Sequence, residues 1–432
     1  MPDLIEYKCP CCAGTIVFDS GSQKMKCPSC GTEFDIETLK SLQHEKNSNE
    51  AAASELDWGK HEGEQWSAEE AGTMRVYVCQ ACGGEVVADQ TTAATTCPFC
   101  GNAVVMKGQV YGDLKPEGII PFKLDKKAAK EGLQEHLKGK KLLPKVFTSQ
   151  NHIDEIKGVY VPFWVYDAEV AADITYNATK IRRWSDNDND YKETSHYFVR
   201  RSGTIGFNNV PVECSTKADD ALMESIEPFD SSQEVPFDTA YLSGYMADRY
   251  DIESEKCVER ANQRIEESTK REFEEDVIGY DSKNVQEAKI NLNHPKSRYV
   301  LYPVWLLNTT WKDKQYTFAM NGQTGKFVGD LPVDRGAFWR RWLITLLITA
   351  AAVFGIAAAV QKFNMNWGMW GVIAGVVGII VAFIVVAIMR AGLKSVQHKD
   401  TAFDYERENS LHIVVRTDLY LYNTVDRTPK SK

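Results

Sequence analysis

The chain has 432 residues, 43% of them apolar, with 50 Lys and Arg against 60 Asp and Glu, for a net charge of −10. Such a length suits two or three domains and allows a sizeable core. The acidic balance speaks against nucleic acid or anionic lipid as a general partner unless a local basic patch compensates.

Met1–Gly14 shows no basic region leading into an apolar run, so no cleaved signal peptide is expected. The N-terminal third then holds one module written twice. Lys8–Asp35 (KCPCCAGTIVFDSGSQKMKCPSCGTEFD) and Val78–Val105 (VCQACGGEVVADQTTAATTCPFCGNAVV) superimpose at an offset of 70. The offset pairs Cys9 with Cys79, Cys12 with Cys82, Cys27 with Cys97 and Cys30 with Cys100. Each copy reads CxxC, 14 residues, CxxC. Two CxxC knuckles place four thiolates around one ion, and Zn²⁺ accepts four sulfurs at about 2.3 Å with no open position for a water nucleophile. Two structural Zn²⁺ ions are therefore expected, iron or a redox dithiol being the alternatives. A module of this size cannot bury enough core without a metal. Cys11 is a fifth thiol; CxxC geometry favours Cys9 with Cys12 and leaves Cys11 aside.

Residues 1–110 carry 8 Lys and Arg against 16 Asp and Glu. A net of −8 repels phosphates, so protein binding is a better use of these ribbons than nucleic acid. The domains read as 1–36 zinc ribbon 1, 37–74 acidic linker and 75–106 zinc ribbon 2. Within the linker, Glu37–His44 extends helically from the first ribbon. The rest has the composition of a mobile tether, except for Leu56, Trp58 and Trp66, which either dock on the chain's own domain or serve a partner.

Residues 107–335 read as a β-rich α+β domain. Asp125 caps a helix over Lys126–Lys138, ended by Gly139. A weak internal repeat sets Tyr160–Tyr166 (YVPFWVY) beside Leu301–Leu307 (LYPVWLL), with Pro162 and Trp164 matching Pro303 and Trp305. It predicts two related β subdomains facing each other, with each proline at a strand edge or start. Trp184–Asp190 alternates aspartates but has Tyr191 and Tyr197 where a calcium loop needs Gly and Glu, so a hairpin turn is expected. Asn321-Gly322 marks another turn. Asp251–Val277 predicts a charged surface helix with an apolar stripe of Ile252, Cys257, Val258, Ala261, Ile265 and Phe273. Cys214 and Cys257 read as small buried hydrophobes.

Trp342–Val360 and Gly371–Met389 are each 19 residues without a charge, and a helix of that length reaches roughly 29 Å, close to the bilayer's hydrocarbon thickness. Residues 339–390 therefore predict a two-helix transmembrane hairpin. Arg335, Arg340 and Arg341 precede it and Arg390, Lys394 and Lys399 follow it, whereas the loop Gln361–Trp370 carries only Lys362. The positive-inside rule then places both termini in the cytosol of a two-pass cell-membrane protein. In that reducing compartment CxxC pairs bind metal rather than form disulfides. Gly371 and Gly375 form a GxxxG that permits close helix approach. Residues 391–432 return as a cytosolic strand, Leu411–Tyr422, and a tail.

No GxSxG, HExxH or phosphate-cradling GxxxxGK[ST] occurs, and the eight His are scattered. A non-enzyme is expected. The twin CxxC ribbons, IIPFKL, KGVYVPFWVYDA, YTFAMNGQTGKFVGDLP and the late two-helix anchor resemble bacterial transcription-factor-IIB-type zinc-ribbon membrane proteins, which are encoded beside SPFH (flotillin-like) and phage-shock-type proteins. The resemblance implies a membrane-anchored adaptor that recruits or holds an SPFH partner during membrane stress. A zinc- or redox-responsive sensor and a membrane-tethered nucleic-acid binder are the alternatives. Some relatives of that family bear a helicase label, but this chain lacks the required P-loop.

Overall fold

A computed structural model describes residues 8–19, 22, 24–49, 56–59, 61, 63–89, 96–108, 114–148, 156–312, 314–360 and 367–430. The first part of the expected tether, 50–55, and most of the loop between the two apolar helices, 361–366 with Lys362, lie outside the described residues.

Ribbon 1 comprises β1 (Val17–Asp19), β2 (Lys24–Lys26) and β3 (Glu33–Phe34), followed by α1 (Ile36–Asn49). A short helix, α2 (Ala68–Thr73), starts from a reciprocal Ser67–Glu70 cap. Ribbon 2 follows with β4 (Met74–Cys79), β5 (Glu85–Asp89) and β6 (Val104–Gly108). Next come β7 (Gly118–Ile119) and α3 (Lys126–Leu137), where Asp125 Oδ1 accepts from the Ala128 N–H at 2.8 Å. The body contains β8 (Lys157–Ser185), β9 (Asn189–Glu213), α4 (Asp220–Ile226), β10 (Val235–Pro236), β11 (Met246–Asp248) and α5 (Ser254–Glu275). It continues through β12 (Ser282–Trp311), β13 (Lys314–Asn321) and β14 (Phe327–Val328). The apolar helices α6 (Arg335–Val360) and α7 (Trp367–Ala391) precede the last strand, β15 (His412–Pro429).

Strands β15, β9, β8 and β12 run side by side as one antiparallel array. This corrects the expectation of two facing subdomains. The P-x-W segments are adjacent strands of a single sheet, with Pro162 opposite Leu301, Trp164 opposite Tyr299 and Tyr160 opposite Pro303. Nor do the prolines mark the sheet's rim. On its second edge β8 pairs with β11 up to Tyr160 and with β9 from Phe163, so Pro162 falls where one neighbour gives way to the next. On β12 the same change occurs between β7 at Leu301 and β13 at Val304, with Pro303 between them. A residue without an N–H fits such a gap without leaving a ladder bond unmade.

Helix α5 covers one face of the array through buried Cys257, Ala261, Ile265 and Phe273. Its Arg264 is buried with them and pairs with Glu227 at 2.6 Å. Arg264 also donates to the carbonyls of Pro211 at 2.7 Å and Thr401 at 3.3 Å, fastening helix, sheet and the segment after α7 together. The second half of the expected tether is docked rather than loose. Trp58 is buried edge-on against Tyr166 at 4.9 Å and donates its indole N–H to Asn262 at 2.7 Å. The aspartate run is the β8–β9 hairpin turn, where Asp186 Oδ1 accepts from the N–H groups of Asp188 and Asn189 at 2.8 and 2.7 Å.

Helices α6 and α7 are long and apolar enough to cross a membrane, and their apolar stretches are for the most part not buried inside the protein. A core helix of a soluble domain would be mostly covered. The two pack on each other at Gly378, where an added Cβ would lie 2.9 Å from Leu346 and 3.3 Å from Thr349. The small residue needed for close approach is thus Gly378; Gly371 and Gly375 have nothing within 4 Å of their Cβ positions.

Candidate metal centres

Each half of each cysteine pair sits in the same local turn. The Cys9, Cys27, Cys79 and Cys97 carbonyls accept from the N–H four residues on, at 2.8, 2.8, 2.9 and 3.1 Å. Their own N–H groups donate to the Gly14, Thr32, Gly84 and Asn102 carbonyls at 2.8, 3.0, 2.9 and 2.7 Å. This turn requires a left-handed residue just after the second cysteine. Gly31, Gly83 and Gly101 supply it at φ +76°, +72° and +75°, and Ala13 alone supplies it with a side chain, at φ +58°. The turn also aims main-chain N–H groups at the sulfurs, as at Cys27, Cys30, Cys97 and Cys100. Those dipoles favour thiolate over thiol.

The eight predicted cysteines converge as two quartets: Cys9, Cys12, Cys27 and Cys30 in ribbon 1, and Cys79, Cys82, Cys97 and Cys100 in ribbon 2. Within each quartet all four sulfurs lie within 4.8 Å of one another. The closest pairs are Cys9–Cys30 at 3.6 Å, Cys12–Cys27 at 3.5 Å, Cys79–Cys100 at 3.4 Å and Cys82–Cys97 at 3.7 Å. A tetrahedron of sulfurs about 2.3 Å from a central ion has edges of about 3.8 Å, so both quartets fit such an ion without rearrangement. Cys12 belongs to the quartet and Cys11 does not; Cys11 lies 3.6 Å from the Thr32 hydroxyl.

The thiols are not equivalent. The Thr32 hydroxyl, 3.3 Å from Cys30, and the Thr32 main chain draw that thiol down to about 6. Burial opposes ionisation of Cys100, but Asn102 Nδ2 at 3.4 Å and the Asn102 main chain outweigh it and bring the thiol to about 7. Burial pushes Cys9 and Cys97 the other way. A cation at the centre favours the anionic form of all four. Four sulfur ligands leave no position for substrate, so the centres can brace their ribbons but cannot activate water.

What surrounds the quartets differs. Ribbon 2 is woven into the body: β5 pairs with β11, with Val87 opposite Ala247, and β11 pairs with β8. Asn308 Nδ2 donates to the Pro98 carbonyl, and Gln315 Nε2 to that of Phe99 at 2.5 Å. Lys157 donates to the Thr96 carbonyl at 3.2 Å. Cys79, Val86, Cys97 and Phe99 share a core with Val159, Val161, Phe163 and Leu306. Ribbon 1 instead leans on the far end of the array. Tyr422 of β15 meets Phe34 edge-on at 5.6 Å and stacks on His196 at 4.4 Å. Leu42 of α1 packs with Phe198 and Leu421, and Glu45 pairs with Arg200 at 2.6 Å. These supports are absent from the cysteine pattern because they come from strands 60 or more residues away in sequence, which no local signal marks.

The chain is 34% identical over 333 residues to a protein of Bacillus subtilis (strain 168) described as the uncharacterized protein YdjG, an alignment that covers 77% of this chain and 92% of the relative. It belongs to the YdjG family. No protein-family model and no solved structure matches it. Membership accounts for common descent over most of the chain and brings no activity with it.

Proposed function

We propose that this YdjG-family protein is a two-pass membrane adaptor, not an enzyme, whose cytosolic side holds a protein partner at the bilayer. The observation that carries the reading is the exposure of α6 and α7: Leu347, Ile348, Val372 and Ile388 are 60, 64, 68 and 67% exposed at the sides of helices long enough to span. Apolar surface of that extent is stable only against lipid or protein. The basic flanks support a cytosolic position for the sheet and both ribbons. There Zn²⁺ is the ion that the two closed four-sulfur quartets suit best, as a brace for each ribbon. A tethered surface raises the effective concentration of whatever docks on it, which suffices for recruitment without chemistry. The resemblance to zinc-ribbon membrane proteins supports an SPFH (flotillin-like) partner and a place in membrane stress.

The test is purification of the full chain from membranes in mild detergent, beside a variant with all eight quartet cysteines changed to Ser. Co-purification of an SPFH protein with the native chain and its loss from the variant is the expected result; recovery of a nucleic-acid machine instead refutes the adaptor. A zinc-responsive sensor is favoured by one observation, that Cys12 and Cys30 of ribbon 1 are exposed. Exchangeable zinc in ribbon 1, with partner binding that follows its occupancy, would decide for that reading.

A further inference from the structure

The entry to α6 and the exit from α7 are held together by the sheet domain. The Leu331 N–H donates to the Leu393 carbonyl at 2.9 Å, and Asp330 Oδ1 accepts from the N–H groups of Ser395 and Val396 at 2.9 and 3.0 Å. The Asp334 N–H bonds the Leu142 carbonyl at 2.9 Å, and its Oδ1 caps α6 at the Gly336 N–H at 2.8 Å. This clamp fixes Arg335, at the start of one helix, opposite Arg390, in the last turn of the other.

The two arginines, with Val333, Phe338 and Trp339, line a cleft of about 400 Å³. Among the described residues neither guanidinium is ion-paired, and the nearest carboxylates in sequence, Asp330 and Asp334, are engaged in the clamp. Below the cleft, Trp339, Leu343 and Ile344 are 58, 50 and 41% exposed on the side of α6. Two cations above an apolar wall, joined by an exposed indole, match one ligand shape: a phosphate carried on hydrocarbon. Guanidinium groups bind phosphate oxygens in pairs, and Trp suits the level where headgroup meets acyl chain.

We propose that the Arg335–Arg390 cleft binds the headgroup phosphate of an anionic phospholipid, whose acyl chains lie along Trp339, Leu343 and Ile344. The proposal rests on α6 and α7 crossing the bilayer. A lipid held there ties the orientation of the sheet domain to the leaflet's composition, because the same clamp joins the cleft to that domain.

The experiment uses the full-length protein in nanodiscs of equal phosphatidylglycerol and phosphatidylcholine, stripped stepwise with detergent, with the retained lipid counted by native mass spectrometry. A parallel carbonate wash of cell membranes checks that the chain is integral. The native protein is expected to retain phosphatidylglycerol over phosphatidylcholine by about tenfold, because phosphatidylcholine carries the same phosphate beside a choline cation that two guanidinium groups repel. R335Q/R390Q should lose that preference, and R335K/R390K should keep only part of it, because Lys preserves charge but not the paired geometry. R340Q/K394Q, which removes equal charge outside the cleft, should retain it. Millimolar inorganic phosphate should not displace the lipid; displacement would assign the cleft to free phosphate and overturn the lipid. Equal retention of both lipids by a carbonate-resistant chain overturns the cleft alone, and so does an equal loss in R340Q/K394Q. Release of the chain by carbonate overturns the membrane reading and the cleft with it.

Discussion

The two ribbons share a sequence pattern and a four-sulfur geometry, yet the molecule uses them differently. Ribbon 2 is a structural part of the body, with its cysteines in the same core as β8 and β12 and its loop carbonyls held by Asn308, Gln315 and Lys157. Ribbon 1 is a docked accessory, held at the other end of the array by Tyr422, Leu421 and Arg200. Along β8, the ribbon 2 attachment at Val159 and the strand position opposite Tyr197, Ala178, are separated by up to roughly 60 Å of strand. The lesson is that a metal-binding repeat specifies a local turn and a ligand set. Its dependence on the rest of the fold is written in residues outside the repeat.

The strongest way to break this contrast is to remove each quartet in turn. C97S/C100S withdraws a metal whose binding contributes on the order of 10 kcal/mol, against a domain stability of about 5–15 kcal/mol. It should abolish the cooperative thermal transition of the detergent-purified protein, whereas C27S/C30S should leave the main transition within a few degrees of native. Equal damage from both pairs would make the ribbons equivalent.

A second difference is pH sensitivity at the ribbon 2 junction. Burial pushes the Asp248 carboxyl, on the strand that pairs with β5, up to about 8, and it raises the neighbouring Glu213 as well. A carboxyl raised in the folded state holds its proton there at pH values where the unfolded chain has lost it. Its contribution is complete below about pH 4 and is lost as pH rises through about 8. Between pH 6 and 8 the native protein should lose about 2 kcal/mol that D248N does not, measured as unfolding midpoints across that range. Parallel pH profiles for the two proteins would contradict this.

Smaller effects probe ribbon 1. Tyr422→Ala removes the edge-on contact with Phe34 and the stack on His196, about 1–2 kcal/mol of docking. It should accelerate proteolysis between ribbon 1 and Trp58 while leaving the sheet resistant. In a chelator assay with a chromogenic zinc dye, ribbon 1 should release its ion about tenfold faster than ribbon 2, a difference of about 1.4 kcal/mol in barrier, because Cys12 and Cys30 are exposed where Cys82 and Cys100 are half-buried. Release of both ions in one phase would erase the distinction. Smallest is Ala13→Gly. Relief of a left-handed alanine, about 1–2 kcal/mol, is offset by about 0.4–1 kcal/mol of unfolded-chain entropy. The net should slow ribbon 1 metal loss by about twofold.

The eight cysteines were legible because coordination demands a fixed spacing, and so were α3, α5 and the two apolar helices, whose signals are local caps and periodicity. The sheet was legible only in parts. The P-x-W repeat was visible, but nothing in it told that the copies lie side by side; that is set by the long-range register of β8 on β12, which puts Pro162 opposite Leu301 and Tyr160 opposite Pro303. Polar composition made residues 37–74 resemble a tether, although Trp58, His61 and Trp66 dock part of it on the body. Arg264 lies beside the apolar stripe of α5 with no local signal of burial, because its partner Glu227 comes from a turn outside the helix and meets it in the core.

We propose a membrane-integral chain with two zinc centres, one of them inseparable from the fold. Elemental analysis of carbonate-resistant, detergent-purified protein during titration with a chelator tests it in one experiment. Two zinc ions per chain are expected, with the sheet domain still folded after the first leaves and unfolded when the second does. A folded, metal-free chain, or iron in place of zinc, would contradict it.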